Sequence, residues 1–160
     1  MYEIVRLIEP YLLKDMLLLH NDGILWSYDA MLYGNELNRE ARSTKSVRMS
    51  PKLFPEICDS LEKHLEGYYV NQFDFLIYKV GDFFIKHKDD HGQGTRTYTT
   101  VTMMEKSDDL VGGNLVIYDK EETFVINLEV GETIIFPASM DHEATVVEQG
   151  SRKVLVAWLN

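Results

Sequence analysis

Cysteine is nearly missing from this 160-residue sequence: Cys58 stands alone. An intrachain disulfide is thereby excluded, and the composition suits a reducing, cytoplasmic compartment. The sequence also lacks an apolar run approaching a membrane span and a Lys/Arg-led apolar leader. Neither a membrane association nor secretion is therefore expected. Basic residues are scarce as well, 16 Lys+Arg against 26 Asp+Glu, for a formal net charge of −10. A polyanion would meet an acidic surface, which argues against nucleic acid as the partner. No repeat, low-complexity tract or linker interrupts the chain. A single domain over residues 1–160 is expected, long enough to bury a sizeable core. Oligomeric state is left open.

What charge there is falls unevenly. Residues 101–160 hold 4 basic and 11 acidic side chains. Within residues 38–50, Arg39, Arg42, Lys45 and Arg48 face only Glu40. That stretch has no clean apolar period and reads as a loop or irregular strand. Two roles stay open for it, a solvated surface loop or a mobile lid over a site.

The first seventy residues carry two helical patterns. Pro10 opens one, followed by Leu12, Leu13, Met16, Leu17 and Leu19; proline at a helix start loses no hydrogen bond. Ser50-Pro51 repeats the signal, with Phe54, Ile57, Cys58, Leu61 and Leu65 on one face and Gly67 as a stop. His64 is then a helix-end histidine and not a ligand. Beyond Tyr68 the texture becomes β-branched and aromatic, cut by glycine and acidic turns. Strands are expected near residues 73–79, 83–88, 96–104, 114–118, 123–128, 133–136, 143–147 and 153–159. With no helices between them, a parallel α/β sheet is excluded, and a β-sandwich or jelly roll with helical support on one side follows.

Three elements carry chemistry. In His87-Lys88-Asp89, residues i and i+2 of a strand share a face, so an imidazole and a carboxylate can bind one ion. Asp141-His142-Glu143 follows the apolar run 134–137 and offers a second histidine. Two histidines and one carboxylate on one face of an ion match the non-haem Fe(II) facial triad. Unrelated surface polar residues are the alternative for either motif alone. His91 competes for the third place, but three ligands on one extended strand spread over about 13 Å and do not converge. Arg152 is the third element. It opens the last apolar strand, where a guanidinium can hold a carboxylate by a bidentate pair, while its neighbour Lys153 points to the opposite face.

Taken together, these stretches resemble the Fe(II)- and 2-oxoglutarate-dependent oxygenases, in their prolyl-4-hydroxylase-like branch. The likeness runs from Tyr78 through Gly81, His87 and Asp89, then Gly112-Gly-Asn-Leu115, then 136–144 with His142, then Gly150-Ser-Arg152 and Trp158. Each piece is common; their order and spacing together are not.

The resemblance implies a mainly β fold with supporting α-helices, a double-stranded β-helix of the jelly-roll, cupin-like kind. Residues 1–70 would be helical support and 71–160 the jelly-roll core. It implies His87, Asp89 and His142 as iron ligands, with no catalytic side chain beyond them. Arg152 would pair with the distal carboxylate of 2-oxoglutarate, and Tyr78, Thr99 and Leu115 would line the cosubstrate pocket. Arg96 and Trp158 would face substrate. One position departs from the pattern: Met103 stands where several relatives have a tyrosine hydroxyl. A thioether cannot replace that hydrogen bond, which leaves Tyr78 or Thr99 to compensate.

The activity so implied is hydroxylation of a protein or peptide side chain, prolyl above all, using Fe(II), 2-oxoglutarate, dioxygen and ascorbate as reductant. The chain's acidity favours a neutral or basic peptide. Hydroxylation of a free amino acid or other small molecule uses the same triad. Nucleobase demethylation is disfavoured, because a further arginine expected of that branch is absent from residues 154–160. A non-catalytic metal-binding or oxygen-sensing module is the alternative of another class.

Overall fold

Proline sets both helix starts. A computed structural model describes residues 1–30, 37–90 and 96–160 of the chain. Strand β1 (Glu3–Val5) leads into α1 (Pro10–Asn21), which begins at its proline and buries Leu12, Leu13 and Met16. Strands β2 (Tyr28–Asp29), β3 (Arg42–Ser43) and β4 (Lys45–Met49) come next. The second start signal is displaced from where the sequence suggests. Pro51 opens only a 3-10 turn, Pro51–Leu53, and α2 (Pro55–His64) starts at the next proline. Phe54 explains the break: it precedes a proline, which disfavours helical backbone, and sits at φ −136° and ψ 67°. His64 ends α2 and its Nε2 lies 2.9 Å from Glu3 Oε1, a helix-end role as expected.

Beyond α2, the regular elements among the described residues are all strands. Long β5 (Val70–Lys79) and β6 (Phe83–His87) precede β7 (Tyr98–Lys106), β8 (Val111–Gly112), β9 (Leu115–Asp119) and β10 (Glu122–Ile126). Then come β11 (Thr133–Pro137), β12 (Asp141–Ala144), β13 (Val147–Gln149) and β14 (Ser151–Leu159). A seven-stranded sheet runs β1-β11-β7-β14-β5-β4-β2, and a five-stranded one runs β10-β9-β12-β6-β3. Strands β13 and β8 form a small pair. All pairings among the described residues are antiparallel. This is the double-stranded β-helix with helical support.

Strand parity divides the core in two. On β5, Phe73, Phe75 and Ile77 join Leu155, Ala157 and Leu159 of β14 against the two helices. Leu76 and Tyr78 join Val154, Val156 and Trp158 on the other face, between the sheets. Each such side chain removed from water stabilises the fold by roughly 1.5–3 kcal/mol. Residues of one strand thus serve the support layer and the interior alternately.

One expectation needs correcting, and one open choice narrows. Residues 1–70 are not helical support alone, since β1 and β4 extend the large sheet and β3 extends the small one. Of the two roles left open for the basic stretch, a mobile lid does not suit residues 45–49. Val47 and Met49 are buried in the helix-side core and Lys45–Met49 pairs with β5 throughout, so this segment is held as a wall. Short alternating strands flanked by arginines hide their apolar period from a local reading. Among the described residues, no helix is long and apolar enough to cross a membrane.

Candidate metal centre and its cavity

Antiparallel register creates the centre. In the pairing of β12 with β6, His142 stands directly opposite His87. Opposed residues of such a pair have Cβ atoms about 5 Å apart, and here the two imidazole centroids lie 4.3 Å apart. Asp89 falls just beyond the end of β6 and not on the strand, its N–H donating to Ala138 O at 2.9 Å. The turn swings its carboxylate back between the rings, with Oδ1 3.6 Å from His87 Nε2 and Oδ2 3.4 Å from His142 Nε2.

Both imidazoles are oriented by the backbone. His87 Nδ1 lies 2.7 Å from Ile85 O and His142 Nδ1 lies 3.0 Å from Met140 O. In a neutral imidazole, a proton on Nδ1 towards those carbonyls leaves the Nε2 lone pair for an ion, whereas in the protonated form Nε2–H donates to Asp89. The ligand atoms of His87, Asp89 and His142 all lie within 4.8 Å of one another. Burial opposes charge on Asp89, yet hydrogen bonds from His142 and His87 outweigh it and hold the carboxyl well below its usual range. Burial pushes the His87 pKa down. It pushes His142 the same way as the largest single cause, but the hydrogen bond and charge of Asp89, with Met140 and Asp141, together raise that imidazole. Two imidazole nitrogens and one carboxylate suit a divalent transition metal with positions left open.

Asp89 Oδ2 has two further partners. Thr99 Oγ1 donates to it at 2.7 Å and Trp158 Nε1 donates at 2.9 Å. On the other side, Phe84 stacks on His87 with centroids 3.5 Å apart, and the Arg42 guanidinium carbon sits 4.5 Å from the Phe84 centroid.

At the closed end of the interior stands Arg152, 5% exposed. Its guanidinium carbon lies 4.6 Å from the Tyr78 ring centroid. Its Nε has no hydrogen-bond partner, and no carboxylate pairs with it among the described residues. Burial pulls its pKa down, only partly opposed by Tyr78. Gly113, at φ +61°, makes room: a Cβ there would come within 2.7 Å of Val147 Cγ2 and 3.6 Å of Arg152 Nε. A buried cation with an uncommitted donor is costly unless an anion joins it. The carboxylate end of 2-oxoglutarate fits that need.

One cavity of about 310 Å³ connects these parts. Every site residue expected from the sequence lines it: His87, Asp89, His142, Arg152, Tyr78, Thr99, Leu115, Arg96 and Trp158. Met103 is buried in the interior core and does not reach that lining. Thr99, one of its two expected substitutes, is committed to Asp89; Tyr78 stays beside Arg152. His91 falls in residues 91–95, outside the described residues. Lys153 points away and pairs with Glu105 at 2.8 Å, as its parity requires.

The sequence reading missed the more exposed end of the cavity. There Asp74, nearly fully buried, accepts from Arg48 Nε at 3.1 Å and Gln72 Nε2 at 3.2 Å. Arg96 Nη2 donates to Gln72 Oε1 at 3.3 Å, and its guanidinium carbon lies 4.1 Å from the Trp158 centroid. The parity of β5 was the available signal, since Gln72, Asp74, Leu76 and Tyr78 share one face.

Comparison with known proteins agrees with this geometry. The family model described as the 2OG-Fe(II) oxygenase superfamily matches residues 73–160. A PKHD-type hydroxylase of Caulobacter sp. (strain K31) is 33% identical over 93 residues, covering 53% of this chain and 41% of that protein. A second, from Caulobacter vibrioides, is 32% identical over 69 residues, 42% of this chain and 30% of the relative. The chain therefore spans less than half the length of these curated relatives. Among solved structures, a Pseudomonas putida prolyl-4-hydroxylase superposes with a TM-score of 0.72 at 15% identity, over 99% of this chain and 91% of that one. A Trichoplax adhaerens prolyl hydroxylase, solved with a hypoxia inducible factor oxygen degradation domain peptide fragment, gives 0.78 at 14% identity, over 98% and 82%. At such identities these two likenesses establish the fold.

Proposed function

The chain belongs to the 2OG-Fe(II) oxygenase superfamily, and from that membership we propose that it is a 2-oxoglutarate-dependent dioxygenase hydroxylating a protein or peptide side chain, prolyl above all. One observation carries this reading. A largely buried His-Asp-His cluster and a buried arginine with no counter-ion among the described residues share a single cavity. A scaffold protein has no use for the second of these.

His87, Asp89 and His142 would hold Fe(II). Bound there with 2-oxoglutarate and dioxygen, the ion supplies the oxidising power for C–H hydroxylation, with ascorbate as reductant. Arg152 receives the distal carboxylate of the cosubstrate, and the Tyr78 ring backs the guanidinium. Leu76, Leu115 and Val154 give the cavity apolar walls that keep water from the middle of the cosubstrate. Arg96 and Trp158, towards the more exposed end, border the approach of the substrate.

Peptide substrates are supported by the open, polar end formed by Arg48, Gln72 and Arg96, and by the peptide held in the Trichoplax adhaerens neighbour. The acidic net charge favours neutral or basic peptides. A small-molecule substrate is the second reading, favoured by a cavity volume typical of small-ligand sites. The test is oxygen- and 2-oxoglutarate-dependent mass gain, with Fe(II) and ascorbate, across proline-containing peptides and free amino acids. Succinate release with no oxygen added to any peptide, but added to an amino acid, selects the second reading. No succinate under any condition refutes both.

A further inference from the structure

The geometry points to Thr99 and Trp158 as positioning residues that make Asp89 a one-oxygen ligand, and so keep the third side of the metal open. This rests on the proposed metal site. It adds to the roles suggested by family likeness, in which Thr99 lines the cosubstrate pocket and Trp158 meets substrate.

The argument begins with hydrogen-bond capacity. Indole Nε1–H is a donor only, and a single one. In Trp158 it is spent on Asp89 Oδ2 at 2.9 Å, with both residues buried. The ring lies 4.1 Å from the Arg96 guanidinium carbon, so that contact comes from an arginine and not from a ligand. Thr99 is 1% exposed, and its hydroxyl donates to the same oxygen at 2.7 Å. Oδ2 therefore takes two strong donors besides facing His142 Nε2 at 3.4 Å, while Oδ1 faces His87 Nε2 at 3.6 Å and receives neither donor. Two donors on one oxygen draw carboxylate charge towards it and fix the plane of the group. Oδ1 is left as the oxygen available to an ion.

The consequence concerns vacancy. A carboxylate that bound through both oxygens would take a position that cosubstrate or dioxygen needs. Residues outside the ligand set commonly decide this, and their loss typically lowers metal affinity about 10- to 100-fold. The two donors come from strands far apart in sequence, β7 and β14, paired in register so that Trp158 stands opposite Thr99. One backbone register thus aims both at a single oxygen.

Co(II) serves as the probe, because its visible absorption reports coordination number and no turnover is required. Thr99→Val removes the hydroxyl while keeping shape, Thr99→Ser keeps it, and Trp158→Phe removes the indole N–H. Calorimetric Co(II) affinity should fall about 10-fold in Thr99→Val and in Trp158→Phe. The Co(II) spectrum should change in both, and 2-oxoglutarate should bind the Co(II)-loaded variants more weakly. Thr99→Ser should restore wild-type affinity and spectrum. Thermal unfolding of the metal-free variants verifies folding; if Thr99→Val fails to fold, Trp158→Phe and Thr99→Ser decide. Wild-type affinity and spectrum in the folded Val or Phe variant overturn the inference and leave the proposed function standing. Failure of the wild type itself to bind Co(II) overturns both.

Discussion

Phe84 lies almost flat against His87, the ring centroids 3.5 Å apart and the planes 20° from parallel. Nothing in the ligand motif calls for this ring, yet it restricts how far the imidazole can turn. Phe84→Ala should lower Mn(II) affinity, read by calorimetry, about 10-fold. Phe84→Tyr keeps the stack and should stay near wild type. Equal affinity in all three would show that the carbonyl of Ile85 alone orients His87.

Arg152 should trade stability for binding. Its buried guanidinium has no carboxylate partner among the described residues, and burial already depresses its pKa. Replacing buried charges by apolar residues of similar volume is often stabilising by about 1–4 kcal/mol. Arg152→Met should therefore raise the thermal midpoint of the metal-free protein. The same change should weaken 2-oxoglutarate binding about 100-fold, the scale of losing one partner of a buried charge pair. A lower midpoint together with intact binding would place the anion elsewhere.

Cys58 should be inert. Burial first, then Glu62 and Asp59 nearby, pushes its thiol pKa from 9.0 up to about 11. Thiolate is the reactive form, so at pH 8 alkylation by iodoacetamide should run about 100-fold slower than for a free cysteine. Unfolding in urea should restore the normal rate. Because the folded state holds this proton more tightly, stability falls as pH rises from 9 towards 11. Rapid labelling of the native protein at pH 8 contradicts this account.

Val47 separates a wall from a lid. It is 3% exposed on β4 and packs in the helix-side core. Val47→Ala should cost about 2 kcal/mol in urea unfolding, as for other buried aliphatic truncations. A lid residue would instead leave stability unchanged and alter the KM for substrate.

Particular residues show what the sequence made legible. Pro10, the period of Ile57, Cys58 and Leu61, and the β-branched texture beyond Tyr68 are local signals, and they located α1, most of α2 and the strands of the jelly roll. His87, Asp89, His142 and Arg152 were visible because their spacing is short or their neighbours form familiar patterns. The partners of Asp89 were not. Thr99 and Trp158 meet it across 10 and 69 residues, through strand register that no local pattern encodes. The same holds for Arg48 and Asp74, joined by the pairing of β4 with β5. The second helix start was misplaced because Pro51 and Pro55 both carry a start signal, and only the backbone at Phe54 decides between them.

Strand β14 sets Arg152 near one end and Trp158, whose indole donates to Asp89, six residues later. Both point into the cavity because their numbers share parity. At about 3.3 Å per residue, a cation can be relocated along this strand only in steps of about 6.6 Å, since odd positions face away from the cavity. A cosubstrate acid longer or shorter by one methylene, about 1.3 Å, cannot be accommodated by sliding the arginine. The β pleat therefore acts as a coarse ruler. Tolerance for neighbouring chain lengths must evolve through side-chain volume at Leu115, Val154 or Gly113, while the charge itself stays where the register has put it.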